Sequence, residues 1–142
     1  MDNKITLREI VVDDYSELIS LWKNTEGIGT SKADDRQSIA QFLQRNAGFS
    51  FAALAEEKII GTALCGHDGR RGNIYHLMVS PEYSRQGIGR NLVEMCTKKL
   101  GQAGIGRCNL FVFPDNIRGK EFWQRLGFYE RTDLVAYSKD LD

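Results

Sequence analysis

The sequence carries no net charge and no long hydrophobic run. Lysine plus arginine number 19 and aspartate plus glutamate number 19 among 142 residues, so no field of one sign favours a nucleic acid or an acidic membrane surface as partner. No apolar stretch is long enough to span a bilayer, and the first four residues lack the hydrophobic start of a signal peptide. We therefore expect a cytoplasmic protein that binds neither nucleic acid nor membrane.

Cysteine and proline are also scarce. The three cysteines, Cys65, Cys96 and Cys108, are widely spaced and form no C-x-x-C pair, which argues against a disulfide framework and against a zinc site. We expect buried thiols and no metal. The two prolines and the 14 scattered glycines form no linker, and 42% hydrophobic content suffices for one core. A single domain over residues 1–142 is the resulting prediction.

Hydrophobic periodicity predicts an α/β fold. The predicted elements are a strand over 4–10, a helix capped by Asp13 and Asp14, a helix from about Asp34 to Asn46, a hairpin of Phe49–Ala55 and Ile59–Cys65, a strand over Asn73–Val79, a helix from Gly87 to about Gly101, a strand over Cys108–Phe113, a short helix holding Phe122, Trp123 and Leu126, and a last strand around Leu134–Ser138. The strand, helix and strand between 73 and 113 predict a right-handed crossover and a parallel strand pair. The fold class is a mixed α/β sheet with helices on both faces.

A glycine-containing turn lies between a predicted strand and the helix that follows it. Its residues are Arg85, Gln86, Gly87, Ile88, Gly89 and Arg90. The first N–H groups of a helix have no intrahelical acceptor and attract anions, and glycine lets the backbone approach a phosphate closely. Arg85 and Arg90 add positive charge, so we expect this turn to bind a pyrophosphate. The alternative is a tight strand-to-helix turn without a ligand.

Two other phosphate-binding motifs differ from this turn. A P-loop requires a lysine followed by serine or threonine, and the turn has neither. The dinucleotide fingerprint requires a third glycine where Arg90, Asn91 and Leu92 stand. The turn therefore belongs to neither of these nucleotide-binding classes.

Two segments resemble signatures of a known family. Val79–Arg90 reads VSPEYSRQGIGR and resembles the acetyl-CoA motif of the GCN5-related N-acetyltransferase (GNAT) family, Q/R-x-x-G-x-G/A after V-x-P. Asn116–Phe128 reads NIRGKEFWQRLGF and resembles the second signature, N-x-x-A-x-x-F-Y-E-K-x-G-F. The resemblance covers essentially the whole chain. It departs at Ser84, where the family has Gln or Arg, at Gly119, where it has alanine, and at Trp123, where it has tyrosine.

The resemblance implies the GNAT fold, a largely antiparallel sheet with a central splayed pair of parallel strands that grips acetyl-CoA. It implies direct acetyl transfer to a primary amine of a small molecule or of a protein or peptide. It further implies that the backbone of Leu77 contacts the developing oxyanion, that Leu77 and Val79 bind the acetyl carbonyl and pantetheine, and that Arg85–Arg90 hold the pyrophosphate. Asn116 would contact the amide arm or cap a helix. Trp123 would line the pantetheine channel or pack in the core.

The acceptor amine needs a proton acceptor whose identity the sequence leaves open. A lysine-type amine has a pKa of about 10.4 and an α-amino group one near 8. The strand over Asn73–Val79 carries no carboxylate, which favours an amine of low pKa or a base from another element. Strand alternation places His76 on the face opposite Tyr75, so we interpret it as structural. We interpret His67 as a turn residue.

Two tyrosines are candidates for the remaining chemistry. Tyr75 shares the cofactor face, where its hydroxyl shapes the acceptor site or completes the packing. Tyr129 follows Trp123 and is a candidate to protonate the leaving thiolate, which with a pKa of about 8.5 can also leave unassisted. The alternative function is a non-catalytic acyl-CoA-binding sensor or regulatory module on the same fold. A homodimer through the sheet edges also stays open.

Overall fold

The computed structural model describes residues 4–141, which form two compact units. The first unit ends at Phe111 and contains β1 (Ile5–Glu9), α1 (Tyr15–Lys23), α2 (Arg36–Arg45), β2 (Phe51–Ala55), β3 (Lys58–His67), β4 (Gly72–Val79), α3 (Ile88–Gln102) and β5 (Cys108–Asn109). The second unit begins at Val112 and contains α4 (Ile117–Arg125). In the described part of the chain, no helix has the length and apolar character that crossing a bilayer requires.

The strands form one mixed sheet in the order β1-β2-β3-β4-β5. The first four strands pair antiparallel with their neighbours, whereas β5 runs parallel to β4. The predicted α/β class and the parallel pair on either side of α3 are therefore confirmed. The pair lies at one edge of the described sheet, because no strand follows β5.

Helices cover both faces of this sheet, as predicted. Gly61 and Thr62 are consecutive on β3, so they face opposite sides. Leu92 of α3 lies against Gly61, where an added Cβ would come within 3.3 Å of Leu92 Cδ1. On the other side, the indole N–H of Trp22 in α1 donates a hydrogen bond to the Thr62 hydroxyl at 3.1 Å. The helices α1 and α3 therefore lie on opposite faces.

The main hydrophobic core lies between the sheet and the helices α1 and α2, which pack on one of its faces. Its buried members are Ile10, Leu18, Trp22, Ile39, Ala52, Leu54, Ile59, Leu64 and Met78. Leu18 and Trp22 of α1 are completely buried. Because apolar residues recur along one side of α1, this helix is held on the sheet by burial of that side. The core that holds α1 on the sheet also includes Met78 of β4.

Two predicted strands differ from the structure. The strand predicted over Cys108–Phe113 is reduced to β5, and the segment Leu134–Ser138 is not a strand. Leu134 is 61% exposed and Tyr137 is 94% exposed. A strand needs a neighbour for its backbone hydrogen bonds, and alternating hydrophobicity alone does not supply one. The prediction of a last strand was therefore wrong for the described chain. The prediction of a single domain over residues 1–142 stays a prediction.

The acidic residues before α1 and α2 act differently. Asp14 precedes α1 but makes no capping hydrogen bond to it; its carboxylate instead accepts from the Val11 N–H and from the Arg8 guanidinium. Asp35 precedes α2 and accepts from the Ser38 N–H at 2.8 Å. Only Asp35 is therefore a side-chain N-cap of the kind that stabilises a helix start.

The cap at Asp35 predicts a pH-dependent stability. Hydrogen bonds from Ser38 hold the pKa of the Asp35 carboxyl below its usual value. Its contribution to the free energy of unfolding is therefore complete above the ordinary aspartate pKa and is lost as the pH falls through the lowered value. We expect Asp35→Asn, which can still cap, to remove this part of the acid sensitivity. Urea unfolding of the wild type and of Asp35→Asn between about pH 5 and about pH 2 measures the loss of stability in acid. An equal loss in both proteins would contradict this role of the Asp35 carboxyl.

Candidate functional site

The turn before α3 has the backbone geometry of an anion-binding site. Arg85 has φ +61° and Gly87 has φ +78°, so two left-handed residues bring the chain from β4 into the helix. Gly87 is the N-cap, and an added Cβ there would meet nothing within 4 Å. The first amide bonded within α3 is that of Asn91, to the Gly87 carbonyl. The earlier N–H groups therefore remain available to a ligand.

The two arginines of this turn differ in whether they make an ion pair. Arg90 pairs with Glu94 one helical turn later at 3.0 Å, and both side chains are exposed. Such a surface pair contributes little and rearranges easily. Arg85 is exposed and makes no ion pair within residues 4–141. The turn therefore offers one uncommitted guanidinium beside the partial positive charge of the helix start.

Most of β4 has an open edge beside this turn. Its register with β5 consists of Gly72 opposite Cys108 and Asn73 opposite Asn109. Beyond Asn73, β4 continues to Val79 without a β5 partner in the described chain. The backbone groups on this edge are consequently free for a ligand that replaces a strand. Leu77 and Val79 lie on this open stretch of β4, and the predicted splay of the parallel pair stays a prediction.

A β-bulge interrupts β4 within the open stretch. Thr62 lies opposite Met78 and Leu64 lies opposite Tyr75, so two residues of β4, His76 and Leu77, stand against one residue of β3. His76 has φ +50°, a left-handed conformation that costs a non-glycine residue about 1–2 kcal/mol. Bulges re-aim side chains and leave a residue unpaired, often beside active sites.

The bulge corrects the predicted orientation of His76. Regular alternation would place it on the face opposite Tyr75. In the structure, the Tyr75 ring packs edge-on against Phe42 of α2 at 6.0 Å, and the His76 ring lies 4.7 Å from Trp22 of α1. Both side chains therefore face the α1 and α2 side. The alternation rule failed because one extra residue shifts the pleat.

A buried hydrogen-bond chain holds the strained backbone of the bulge. The Thr62 hydroxyl donates to the His76 carbonyl at 2.8 Å and accepts from the Trp22 indole N–H at 3.1 Å. Thr62 and Trp22 are both fully buried. A strained residue persists where its surroundings over-determine it, and here the packing of α1 on the sheet does so.

Asp34 is a site residue that sequence reasoning missed. It ends a 3-10 turn, Lys32–Asp34, and its Oδ1 lies 2.7 Å from His76 Nε2. Its Oδ2 accepts from the Ser31 N–H at 3.0 Å, and the Tyr15 hydroxyl donates to its carbonyl at 2.8 Å. The pattern of serine followed three residues later by an acid signals this capped turn. The pairing with His76 joins residues 42 positions apart and has no local signal.

Tyr75 is half-exposed on the face of the sheet that carries α1 and α2. Burial raises the pKa of its phenol, and the Cys108 thiol adds to the rise. The hydroxyl is therefore protonated at neutral pH and can donate a hydrogen bond. This protonation state is compatible with both roles predicted for Tyr75.

The thiols of Cys65 and Cys108 are poor nucleophiles. Cys65 and Cys96 are buried, as predicted, whereas Cys108 is half-buried, which corrects that part of the prediction. A hydrogen bond with Cys96, together with burial, raises the pKa of the Cys65 thiol. Burial raises the pKa of Cys108 to about 12. Because the thiolate is the reactive form, Cys65 and Cys108 are unsuited to carry an acyl group.

The second unit contains three predicted site residues. Asn116 caps α4, accepting from the Gly119 N–H at 3.0 Å, which is the capping role predicted for it. An added Cβ at Gly119 would lie 2.5 Å from Asn116 Nδ2, so alanine there would displace the cap. Trp123 is half-buried against Phe122 and Phe128. Tyr129 is 65% exposed. Their contacts with a cofactor stay predictions.

Other candidate groups have local roles. Nδ1 of His67 accepts from the Gly69 N–H, and Asp68 accepts from the amides of Arg70 and Arg71. These bonds build the turn between β3 and β4, as interpreted from the sequence. Among residues 4–141, no three His, Cys, Asp or Glu side chains come together as a metal site.

Comparisons with known proteins establish the family and the fold of the chain. Residues 7–128 match the Acetyltransferase (GNAT) family. Aminoglycoside N-acetyltransferase AAC(6')-Iy in complex with CoA superposes with a TM-score of 0.77 at 18% identity, covering 99% of this chain and 98% of that one. The PaiA N-acetyltransferase from Thermoplasma acidophilum in complex with coenzyme A gives 0.74 at 20% identity, with coverages of 86% and 87%.

A third related structure is named as an acetyltransferase that acts on a protein. The ribosomal-protein-alanine N-acetyltransferase from Brucella melitensis biovar Abortus 2308 has a TM-score of 0.71 at 14% identity, covering 96% of this chain and 99% of that one. At such identities the likeness establishes a shared fold. The match over residues 7–128 establishes the family.

Proposed function

Since the chain belongs to the GNAT acetyltransferase family, we propose that it transfers an acetyl group from acetyl-CoA directly to a primary amine of a small molecule or of a protein or peptide. The observation that carries this proposal is the open edge of β4, which ends beside the glycine turn of α3. An extended pantetheine arm can bond along that edge while the pyrophosphate binds the turn. Two of the related structures named above hold coenzyme A.

The chain's own groups supply three parts of the reaction. The turn from Arg85 to Arg90 binds the pyrophosphate through backbone N–H groups and the Arg85 guanidinium. Val79 bonds the pantetheine from the strand edge. The Leu77 N–H, in the bulge, stabilises the charge that develops on the acetyl oxygen, a kind of contact that contributes about 3 kcal/mol in enzymes where it has been removed.

Direct transfer fits the thiol chemistry of the chain. A two-step route would need a nucleophile to carry the acetyl group. The raised pKa values of Cys65 and Cys108 make these two thiols unsuitable carriers, which supports direct attack of the amine on the thioester. The protonated hydroxyl of Tyr75 is a candidate donor to the departing sulfur, and the exposed hydroxyl of Tyr129 is a second.

Incubation with isotopically labelled acetyl-CoA and pooled amines tests this function. The pool contains polyamines, amino acids, aminoglycosides and peptides with free N-termini or lysines, and mass spectrometry identifies the labelled product. We expect label on one class of amine. Tight acetyl-CoA binding without label on any amine would instead favour the non-catalytic acyl-CoA-binding module.

A further inference from the structure

The contact between His76 and Asp34 determines which imidazole nitrogen carries the proton. Asp34 Oδ1 lies 2.7 Å from His76 Nε2, and Asp34 Oδ2 already accepts from the Ser31 N–H. A carboxylate only accepts hydrogen bonds, so Nε2 must donate. In the neutral imidazole the proton is therefore on Nε2 and the lone pair is on Nδ1, an assignment that follows from the hydrogen-bond network.

Nδ1 of His76 has no hydrogen-bond partner among the described residues and is not completely buried. Within residues 4–141 the hydrogen bond of the His76 side chain is the one that Nε2 makes. No buried polar side-chain atom of the described residues lacks a partner, so the unpartnered Nδ1 is not buried. The His76 side chain is 17% exposed, against 9% for Asp34. Nδ1 is thus the imidazole nitrogen that remains available to accept a proton from a substrate.

The backbone of His76 belongs to the stretch of β4 that has no β5 partner in the described chain. His76 is the bulged residue, and the next residue, Leu77, carries the proposed oxyanion contact. Three titratable groups are connected with His76: one contacts its imidazole, one is its neighbour on β4, and one donates a hydrogen bond to Asp34. They are Asp34 from the 3-10 turn, Tyr75 from the same strand and Tyr15 from α1, whose hydroxyl donates to the Asp34 carbonyl.

We propose that His76 is the general base of the acetyl transfer and that Asp34 is its positioning residue; this rests on the proposed function. Nδ1 takes a proton from the protonated acceptor amine, and the neutral nitrogen attacks the thioester carbonyl. The C–N bond forms, the C–S bond breaks, and the electron pair leaves on sulfur. The thiolate takes a proton from a tyrosine hydroxyl, the second amine proton restores that hydroxyl, and His76 returns the first proton to solvent. The products are an amide, the coenzyme A thiol and one proton.

A purely structural role makes different predictions. If the pair only tied the Lys32–Asp34 turn to β4, replacing His76 would lower thermal stability and would leave the pH dependence of turnover unchanged. With a base, amine that is still protonated can react, because His76 removes the proton. Without it, only amine that has lost its proton to water reacts, so the defect shrinks as the pH approaches the pKa of the amine.

The test compares His76→Gln and Asp34→Asn with the wild type at saturating acetyl-CoA, using the amine identified by labelling. His67→Gln, which replaces the chain's other histidine, is the matched control. We expect His76→Gln to lower kcat by about 100-fold or more at pH near 7, with the loss shrinking at high pH and the acetyl-CoA affinity unchanged. Asp34→Asn should lower kcat by at least about tenfold, and His67→Gln should change it by less than about twofold.

A second measurement does not depend on turnover. Two-dimensional 1H–15N NMR of the histidine rings should show the neutral His76 protonated on Nε2 in the wild type and a mixture of tautomers in Asp34→Asn. The same spectra and circular dichroism show whether each variant is folded. If His76→Gln does not fold, the Asp34→Asn profile decides.

The outcomes separate this proposal from the proposed function. A wild type that acetylates amines while folded His76→Gln keeps its rate and pH profile overturns the assignment of the base alone. A proton on Nδ1 in the NMR spectra overturns it as well. A wild type that acetylates none of the amines overturns both proposals.

Discussion

Replacing Gly87 with glutamate is expected to abolish acetyl-CoA binding. The N-cap of α3 is open, with nothing within 4 Å of an added Cβ, so the new carboxylate would occupy the place of the pyrophosphate. Each lost hydrogen bond to a charged group costs about 1.5–3 kcal/mol. The loss of two such bonds weakens binding by at least about 100-fold. Isothermal titration calorimetry with acetyl-CoA measures this change.

Gly104→Glu is the matched control for that variant. Gly104 follows the other end of α3, has φ +81° and is equally open. Both substitutions therefore place a glutamate at a left-handed position, and they differ in which end of the helix receives the charge. We expect Gly104→Glu to bind acetyl-CoA with nearly the wild-type affinity. Unchanged affinity in Gly87→Glu would show that the pyrophosphate lies elsewhere.

Leu18→Ala is expected to cause a large loss of stability. Leu18 is completely buried in the core between α1 and the sheet, and such truncations cost about 2–5 kcal/mol. Because α1 also carries Trp22, whose indole holds Thr62 in the bulge, the loosened helix should weaken the support of His76. Urea unfolding measures the change in the free energy of unfolding.

The chain offers a matched control for this truncation too. Leu134 is 61% exposed, so Leu134→Ala should change the free energy of unfolding by less than about 0.5 kcal/mol. Equal losses in both variants would contradict the position assigned to α1. A loss confined to Leu18→Ala supports it.

Local patterns predicted the parts of the structure that local forces determine. Gly87 and Gly89 between a strand and a helix predicted the turn before α3, because a left-handed N-cap and a close approach to the backbone both favour glycine. The capping role of Asn116 was likewise predicted, since a cap depends on residues within one turn. The parallel pair followed from the crossover rule.

The features that the sequence did not predict depend on contacts between segments that are distant along the chain. The bulge at His76 depends on the register between β3 and β4, which no residue of β4 encodes alone. Asp34 reaches His76 only because α1 and the 3-10 turn fold over the sheet. The strand predicted at Leu134–Ser138 has the right alternation but needs a neighbour. These contacts join distant segments, whereas periodicity describes one segment at a time.

The most direct test of the central claim follows one labelled acetyl group from thioester to amide. Wild type and Gly87→Glu are each mixed with labelled acetyl-CoA and the identified amine, and thiol release and amide formation are both measured. We expect the wild type to form one amide for each thiol released, and Gly87→Glu to form neither above background. Thiol release by the wild type without labelled amide, or equal amide formation by Gly87→Glu, would contradict it.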